Sequence, residues 1–540
     1  SAKTSNRGMG TSYAKNAVDK YTMFTLENML FYDKTFNDKH TLGVTLLQSI
    51  QEDKRESVNV AMENLPADNL KYYDLGSGLV TNTIGSAMVK WNMASFMGRI
   101  NYNYLGRYLL TVSARYDGSS RLADGHKWVL FPSAALAWRI NEESFMSSTS
   151  GWLDNLKLRL GFGKTGNSAV DPYQTKGTLS LIRYPFDNGG TPTIGYAPNA
   201  MANSLLTWET TDQWNLGIDF GVLRGRINGT IDLYMQNTHD LLLKRQLPVV
   251  SGFPDVLSNV GKTRNKGIEV SINSMNINSK DFQWTTDLML SSNKEEIVEL
   301  YNGKNDDIGS KWFIGQPVNV HYDYRKVGIW QNTESDLAEM AKFAANGTEF
   351  APGDIKIQDV NGDYKITDAD KQILGNPRPK LIASMVNTFN YKGFDLSVFL
   401  YASFGAMLYN DIYAVEHCGR NGGVKVDYWT PNNPTNAYPR PSIDEERPIY
   451  ITSTYYEKAD FLRVKTMTLG YTLPKTLTNK FLVEKLRVYF TAQNPFIFTN
   501  YTGIDPEAAK VNSAGNPETN GSGFGTPSVS SWIFGINLTL

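Results

Sequence analysis

The last nine residues, Trp532-Ile533-Phe534-Gly535-Ile536-Asn537-Leu538-Thr539-Leu540, alternate in character. In an extended chain successive side chains point to opposite faces, so Trp532, Phe534, Ile536, Leu538 and Leu540 share one face, and Ile533, Gly535, Asn537 and Thr539 the other. One face is greasy; the other is mostly small or polar. Working outward, Tyr108, Leu110, Val112, Ala114 and Tyr116 interleave with Leu109, Thr111, Ser113, Arg115 and Asp117 in the same way, and Leu156, Leu158, Leu160 and Phe162 with Lys157, Arg159, Gly161 and Gly163. Trp214, Leu216, Ile218 and Phe220 precede a tight turn at 222–225, after which Ile227, Ile231, Leu233 and Met235 oppose Asn228, Thr230, Asp232 and Tyr234. Phe282, Trp284, Leu288 and Leu290 continue the series, and a further hairpin turns at Tyr391-Lys392-Gly393.

Such segments, followed from Thr22 to Leu540, number roughly sixteen, many of about 10 to 15 residues against the ~5 to 6 usual in soluble proteins. Short turns alternate with long irregular stretches near 164–204, 295–316, 333–377, 405–455 and 502–527. Long strands with short turns at one end and long loops at the other predict an all-β fold, a transmembrane antiparallel β-barrel. The alternatives are a β-sandwich, jelly roll or propeller, which also alternate but use shorter strands and bury the apolar face against a second sheet. Helical periodicity is confined to short loop pieces, 334–345 and 368–374.

Composition agrees and excludes. Mean hydropathy is −0.36, and nothing approaches the ~18 consecutive apolar residues of a membrane helix. A barrel strand, half of it facing the lumen, keeps a low average while its period is strong. Lys plus Arg total 53 against 54 Asp plus Glu, so no basic field invites nucleic acid. The 29 Tyr, 25 Phe and 11 Trp suit strands, interfacial girdles and sugar-stacking surfaces alike. The single cysteine, Cys418, rules out an internal disulfide or a cysteine zinc cluster. The N-terminus shows no charged region followed by an apolar run, so a mature chain, or one lacking its beginning, is expected.

The most specific local motif is DVNGDYKITDAD, 359–370. Asp359, Asn361, Asp363 and Asp370 stand at positions 1, 3, 5 and 12, the Lys365 carbonyl at 7 and the apolar Ile366 at 8, the oxygen pattern of a loop that wraps Ca²⁺, or Mg²⁺ in its place. Glycine stands at position 4 (Gly362) while position 6 is Tyr364, and position 12 is Asp rather than Glu, as in dockerin modules. The expected metal-binding insertion spans 353–377. The run 161–165 (GFGKT) lacks the earlier glycine of a phosphate loop, since Leu158 stands there, and no helix follows. His40, His126, His239, His321 and His417 lack ligand spacing, and the acidic pairs Glu142-Glu143 and Glu445-Glu446 read as solvated surface. No catalytic constellation is present, so the chain is not expected to be an enzyme. Tyr322, Tyr324, Trp330, Tyr409, Tyr413, Tyr428 and Trp429 could stack on sugars or peptides, but bracing their own loops is the simpler role.

Specific strings resemble the SusC/RagA-like group of TonB-dependent transporters of the Bacteroidetes over nearly the whole chain: RINYNYLGRYLL (99–110), RYDGSSR (115–121), FPSAALAWRI (131–140), LKLRLGFGKTGN (156–167), WETT (208–211), NKGIEV (265–270), GD (353–354), LRVK to LGY (462–471) and NYTGIDPE (500–507). The resemblance implies a barrel of about 22 strands in the outer membrane, bathed in its lipid. It also implies a cavity capped by a SusD-like surface lipoprotein, and active import of nutrient oligomers powered through TonB, with oligosaccharides the first expectation and oligopeptides the second. The family carries a plug-bearing N-terminal segment that contacts TonB. Residues 1–540 are expected to be the C-terminal part of such a barrel, completed by that segment and the first strands. A passive porin-like channel and a secreted calcium-braced glycan-binding β-domain are the competing readings.

Overall fold

The computed structural model describes residues 12–66, 71–184, 193–410, 425–442, 447–478, 480, 483–507 and 528–540. Cys418, His417, Tyr413, Glu445 and Glu446 lie outside these residues. In chain order the strands are β1 (Tyr13–Phe36), β2 (His40–Glu63), β3 (Val80–Tyr104), β4 (Tyr108–Ser119), β5 (Trp128–Arg139), β6 (Leu153–Asn167), β7 (Thr178–Tyr184), β8 (Thr193–Ala200), β9 (Glu209–Val222), β10 (Ile227–His239), β11 (Leu242–Gln246), β12 (Asp255–Asn259) and β13 (Lys262–Asn278). They continue as β14 (Phe282–Glu299), β15 (His321–Asp323), β16 (Lys326–Ile329), β17 (Ile355–Ile357), β18 (Gln372–Gly375), β19 (Leu381–Tyr391), β20 (Phe394–Phe404), β21 (Met407–Tyr409), β22 (Tyr456–Lys458), β23 (Phe461–Thr472), β24 (Lys485–Thr499) and β25 (Ser531–Thr539).

Fifteen of them share one sheet in the order β1-β2-β3-β4-β5-β6-β9-β10-β13-β14-β19-β20-β23-β24-β25, against the roughly sixteen expected. Sequential neighbours pair antiparallel, as an up-and-down barrel wall requires. Connections alternate strictly. Within the first unit the tight turns at 37–39 and 105–107 share one end, and within the second those at 223–226, 279–281 and 392–393 do, with the longer connections at the other end of each. The tight turns use left-handed residues, Asn37 and Asp38 (φ 50 and 53) in the first, Lys392 and Gly393 (φ 44 and 90) in the last, the geometry whose twist matches a hairpin.

The chain packs as two units. The first comprises Ser1–Trp138, Leu160–Trp214 and Asn237–Lys262. Its strands β1 to β3 are 24, 24 and 25 residues long, about 80 Å at ~3.3 Å per residue and far more than a ~25 Å apolar band requires. Under its outer loops a small core gathers Leu122, Phe131, Val170, Leu206 and Trp208. The second unit comprises Arg139–Arg159, Asn215–Gln236 and Thr263–Leu540. Its connection from β14 to β19 folds into a compact outer subdomain containing helix α1 (Glu334–Ala345) and the pairs β15–β18 and β16–β17. The helix matches its expected span because its end signals are local: Thr333 accepts the Asp336 N–H at 3.3 Å, Glu334 and Asp336 are acidic in the first turn, and Lys342 is basic in the last. The other expected helix, 368–374, is a 3₁₀ turn at Asp368–Asp370 followed by β18. Thr367 and Asp370 form a reciprocal capping box that closes the turn after three residues.

Candidate functional site

Strand register sorts the wall into two faces. In the second unit, Leu396 pairs with Leu469, Leu469 with Phe490 and Phe490 with Phe534, an apolar row across four strands. One residue along, Ser397 pairs with Thr468 and Thr468 with Thr491 on the opposite face, where the two threonine hydroxyls bond at 2.9 Å. In the first unit the apolar face carries two aromatic rows on β5: Trp138 stacks on Tyr108, and Trp128 stacks on Tyr116 and Phe96. Trp128 and Trp138 stand at either end of β5, ~33 Å apart along the strand, which a tilt near 45° reduces to the ~25 Å of an outer-membrane apolar band. Leu130, Val112, Leu136 and Ile100 fill the space between.

In each unit the polar face carries hydrogen-bonded side chains. Arg159 reaches Asp219 at 2.7 Å and Asp232 at 3.0 Å, with Lys157 on Asp219 at 3.2 Å. Arg487 grips Asp395 through Nε and an Nη, at 2.9 and 2.5 Å, beneath Gly470, where a Cβ would collide with both partners. Arg115 holds Asp117 at 2.7 Å and Ser95 at 2.9 Å. In the first unit the Ser113–Ser133 and Thr211–Thr238 hydroxyl pairs stand at 2.7 and 2.8 Å. Each of these arginines is matched by carboxylate, so the wall offers hydroxyls, amides and paired charges rather than a net field.

The NYTGIDPE segment ends in a latch. The Arg463 guanidinium on β23 meets Asp505 at 2.5 Å, both side chains 4% exposed, and reaches Glu507 at 3.1 Å; Lys465 also bonds Glu507. Asp505 accepts the Glu507 and Ser528 amides as well, at 2.9 and 3.2 Å. Burial pushes the Asp505 carboxyl up, but those hydrogen bonds and the Arg463 charge outweigh it and hold it below the usual range.

In the 359–370 loop the predicted ligands fold the backbone. Asp359 accepts from the Gly362 and Tyr364 amides at 2.7 and 2.8 Å, Asn361 from the Asp363 amide at 3.1 Å, and Asp363 from the Lys365 amide at 2.8 Å and the Asn361 side-chain amide at 3.0 Å. Tyr364 makes the turn at position 6 itself, at φ 55, following Gly362 at φ 75. The oxygens of the first three positions thus accept hydrogen bonds from the loop's own amides. Asp370 is fully buried and turned to the Val360 and Thr367 amides at 2.9 and 2.8 Å. Among the described residues no three Asp, Glu, His or Cys side chains stand together as a metal cage.

Most of the expected stacking aromatics brace the outer subdomain. Trp330 is fully buried against Phe343 and Phe350, Trp429 is buried with its indole N–H on Gln331 at 2.9 Å, and Tyr409 packs on Tyr455 and Tyr456. Tyr322 packs on Phe313 and Tyr324 on Tyr450, while Tyr428 is exposed. Sequence reasoning missed Lys326, whose ammonium donates to the Ala437 carbonyl at 2.8 Å, with no ion-pair partner among the described residues. Burial lowers its pKa to about 8. A lysine in a short strand carries no sequence signal of being buried. Between pH 8 and its ordinary value of 10.5 the unfolded chain binds the proton that the folded chain has lost, so stability rises with pH across that window. Burial and then Asp323 raise the Tyr456 phenol, so above the ordinary tyrosine value of 10.0 the folded state retains a proton that the unfolded chain releases, and stability falls. Hydrogen exchange of the subdomain should therefore be slowest, after correction for intrinsic rates, near pH 10. Lys326→Met should abolish the rise; a rise persisting in that variant would remove Lys326 as its cause.

Residues 2–494 match the family described as TonB dependent receptor-like, beta-barrel. The TonB-dependent receptor P3 of Formosa agariphila is 32% identical over 531 residues, covering 95% of this chain and 52% of that protein. The TonB-dependent receptor SusC of Bacteroides thetaiotaomicron is 35% identical over 434 residues, covering 77% of this chain and 41% of that protein. The chain spans about half the length of the curated relatives it matches. The RagAB peptide transporter has the same fold, with a TM-score of 0.81 at 23% identity over 98% of this chain and 56% of that one. This chain belongs to the TonB-dependent receptor-like β-barrel family, as an outer-membrane member of SusC/RagA type and not an enzyme.

Proposed function

We propose that the chain works within an active importer of nutrient oligomers, oligosaccharides first and oligopeptides as the alternative. A SusD-like lipoprotein serves as its lid, and TonB supplies energy through a plug-bearing N-terminal segment. The observation that carries the substrate reading is the polar wall. Arg115, Arg159 and Arg487 are each matched by carboxylate, and hydroxyl pairs accompany them in each unit, a lining that suits a neutral, hydroxyl-rich ligand better than a strongly charged one. The family resemblance puts glycans first; the fold shared with a protein named a peptide transporter keeps the second alive.

The test is uptake. A strain deleted for the protein should lose growth on an oligosaccharide mixture and keep growth on oligopeptides, and loss of TonB should reproduce the defect. Uptake that survives without TonB would favour the porin-like channel. A chain that stays in solution without detergent would favour the secreted β-domain.

The same reading places Ca²⁺, or Mg²⁺, at Asp359, Asn361, Asp363, the Lys365 carbonyl and Asp370, as a brace for the outer subdomain. Terbium emission sensitised by Tyr364 should titrate and be displaced by Ca²⁺ at roughly 10⁻⁴ to 10⁻³ M, the range of extracellular sites. Asp363→Ala should remove it. A wild-type protein with no saturable emission would rule the site out.

A further inference from the structure

β4 stops at Ser119, opposite Met93, while β3 extends back to Val80. The shorter neighbour leaves a notch beside β3 among the described residues, and loop segments close round it. Asn92 donates its N–H to Ser120 Oγ at 2.8 Å and accepts from the Ser120 amide at 2.9 Å, and Lys90 donates its N–H to the Tyr173 hydroxyl at 3.1 Å. The result is a cleft of about 470 Å³ whose lining includes Trp91, Asn92, Tyr173, Thr175, Lys176 and Ser204, within the roughly 300–1,000 Å³ of small-ligand sites. Lys90 stands six positions before Phe96 on β3, ~20 Å along the strand, so the cleft opens clear of the lipid band, at the end that carries the longer connections.

Both rings of the cleft are fixed in place. The Arg121 guanidinium lies over the Trp91 ring, 3.9 Å from its centre. Tyr173 is 47% exposed, yet its hydroxyl is tied to the β3 backbone and its φ is 71, a left-handed conformation that a bulky side chain rarely adopts. A ring held in this way loses little freedom when something stacks on it. Beside the rings, the Asn92 amide and the Thr175 and Ser204 hydroxyls make no side-chain hydrogen bond to another described residue. The charges are close to balance: Lys90 pairs with Glu52 at 2.9 Å, Lys127 with Asp124 at 2.5 Å, and Lys176 acts on Asp124 as well. The cleft therefore offers ring faces and unspent neutral hydrogen-bonding groups, with no strong field to draw in a charged ligand.

We propose that this cleft is a sugar-binding subsite: a neutral sugar ring stacks its C–H face on Tyr173, and its hydroxyls bond Asn92, Thr175 and Ser204. A sugar ring is apolar on its face and ringed by groups that both donate and accept, which matches an aromatic platform bordered by one amide and two hydroxyls. The position outside the lipid band makes this a contact that an oligomer meets before it reaches the lumen. The proposal rests on the oligosaccharide reading above.

The test uses the complete transporter purified from its native outer membrane. Binding is measured against neutral oligosaccharides of glucose, mannose, galactose or xylose and, in parallel, against a tryptic digest of casein. Tyr173→Gly removes the ring and relieves the φ of 71, because glycine adopts left-handed backbone freely, so the loop keeps its shape. It should weaken binding of the preferred sugar at least about tenfold, with unchanged barrel yield. Asn92→Ala should weaken it severalfold, and Tyr173→Phe, which keeps the ring, should bind nearly as the parent does. Sugar binding that Tyr173→Gly and Asn92→Ala both leave unchanged overturns the subsite while the oligosaccharide reading stands. A loss in Tyr173→Phe equal to that in Tyr173→Gly overturns stacking on the ring. If no sugar binds although the deletion strain fails to grow on oligosaccharides, the subsite is wrong and the reading stands. If the peptide digest alone binds, the oligosaccharide reading falls and the subsite with it.

Discussion

Arg463→Ala should release the base of the loop between β24 and β25. The substitution leaves Asp505, 4% exposed, without the cation that faces it, and breaking a buried pair by removing one partner costs ~3 to 5 kcal/mol because the remaining charge is stranded. The measurement is hydrogen exchange on the purified transporter. The Glu507 and Ser528 amides, which bond Asp505 in the parent, should lose protection by two or more orders of magnitude, since about 1.4 kcal/mol is tenfold, while β19 and β20 stay protected. Replacing both partners, Arg463→Met with Asp505→Leu, should recover most of the loss, because the expense lies in the uncompensated charge rather than in the absent pair. Acid should mimic the single variant. A depressed carboxyl contributes stability above its unfolded value of roughly 3.9 and loses it as pH falls through the folded one. Unchanged exchange at Glu507 and Ser528 in Arg463→Ala would mean that the backbone alone holds this segment.

What could be read beforehand follows from what each feature depends on. Period two is a property of neighbours, so β4, β9, β10, β14 and β25 were all visible in the sequence, as was the turn at 222–225. The helix α1 was legible to the residue because Thr333, Glu334 and Asp336 act within one turn. The start of β1 was not. The strand begins at Tyr13 rather than Thr22, and its first residues stand beyond the lipid band, where Asn16 and Lys20 share a face with Val18 and blur the alternation. Pieces of three or four residues, such as β15 to β18, are too short to show any period. The latch was hidden for another reason: Arg463 and Asp505 lie 42 positions apart, and only the closed register of β23 with β24 brings them together. The aromatic residues were ambiguous in principle, because a buried tryptophan and a sugar platform have the same composition; the fold assigns Trp330 and Trp429 to packing.

Trp330→Ala should unseat the outer subdomain while sparing the wall. The indole is fully buried, 5.8 Å from the Phe343 ring and 5.5 Å from Phe350, and it lies under the Lys356 ammonium, 4.0 Å from the ring centre. Lys356 in turn bonds Glu339 at 2.5 Å and Asp336 at 3.3 Å on α1, so one side chain supports both the apolar and the ionic attachment of the helix. Truncation of a buried tryptophan costs ~3 to 5 kcal/mol through lost transfer energy and the cavity left behind, and here it also removes the cation–π contact. Protease should then cleave α1 in the variant within minutes while the barrel strands persist. Because Phe343 packs on Tyr364 as well, terbium emission from the 359–370 loop should weaken in the same sample. Trp330→Phe is the informative control. The indole N–H has no hydrogen-bond partner among the described residues, so phenylalanine removes an unsatisfied buried donor along with part of the ring, and the two effects should largely offset. If alanine leaves α1 as resistant as the parent, the helix is held by its ion pairs and not by this core.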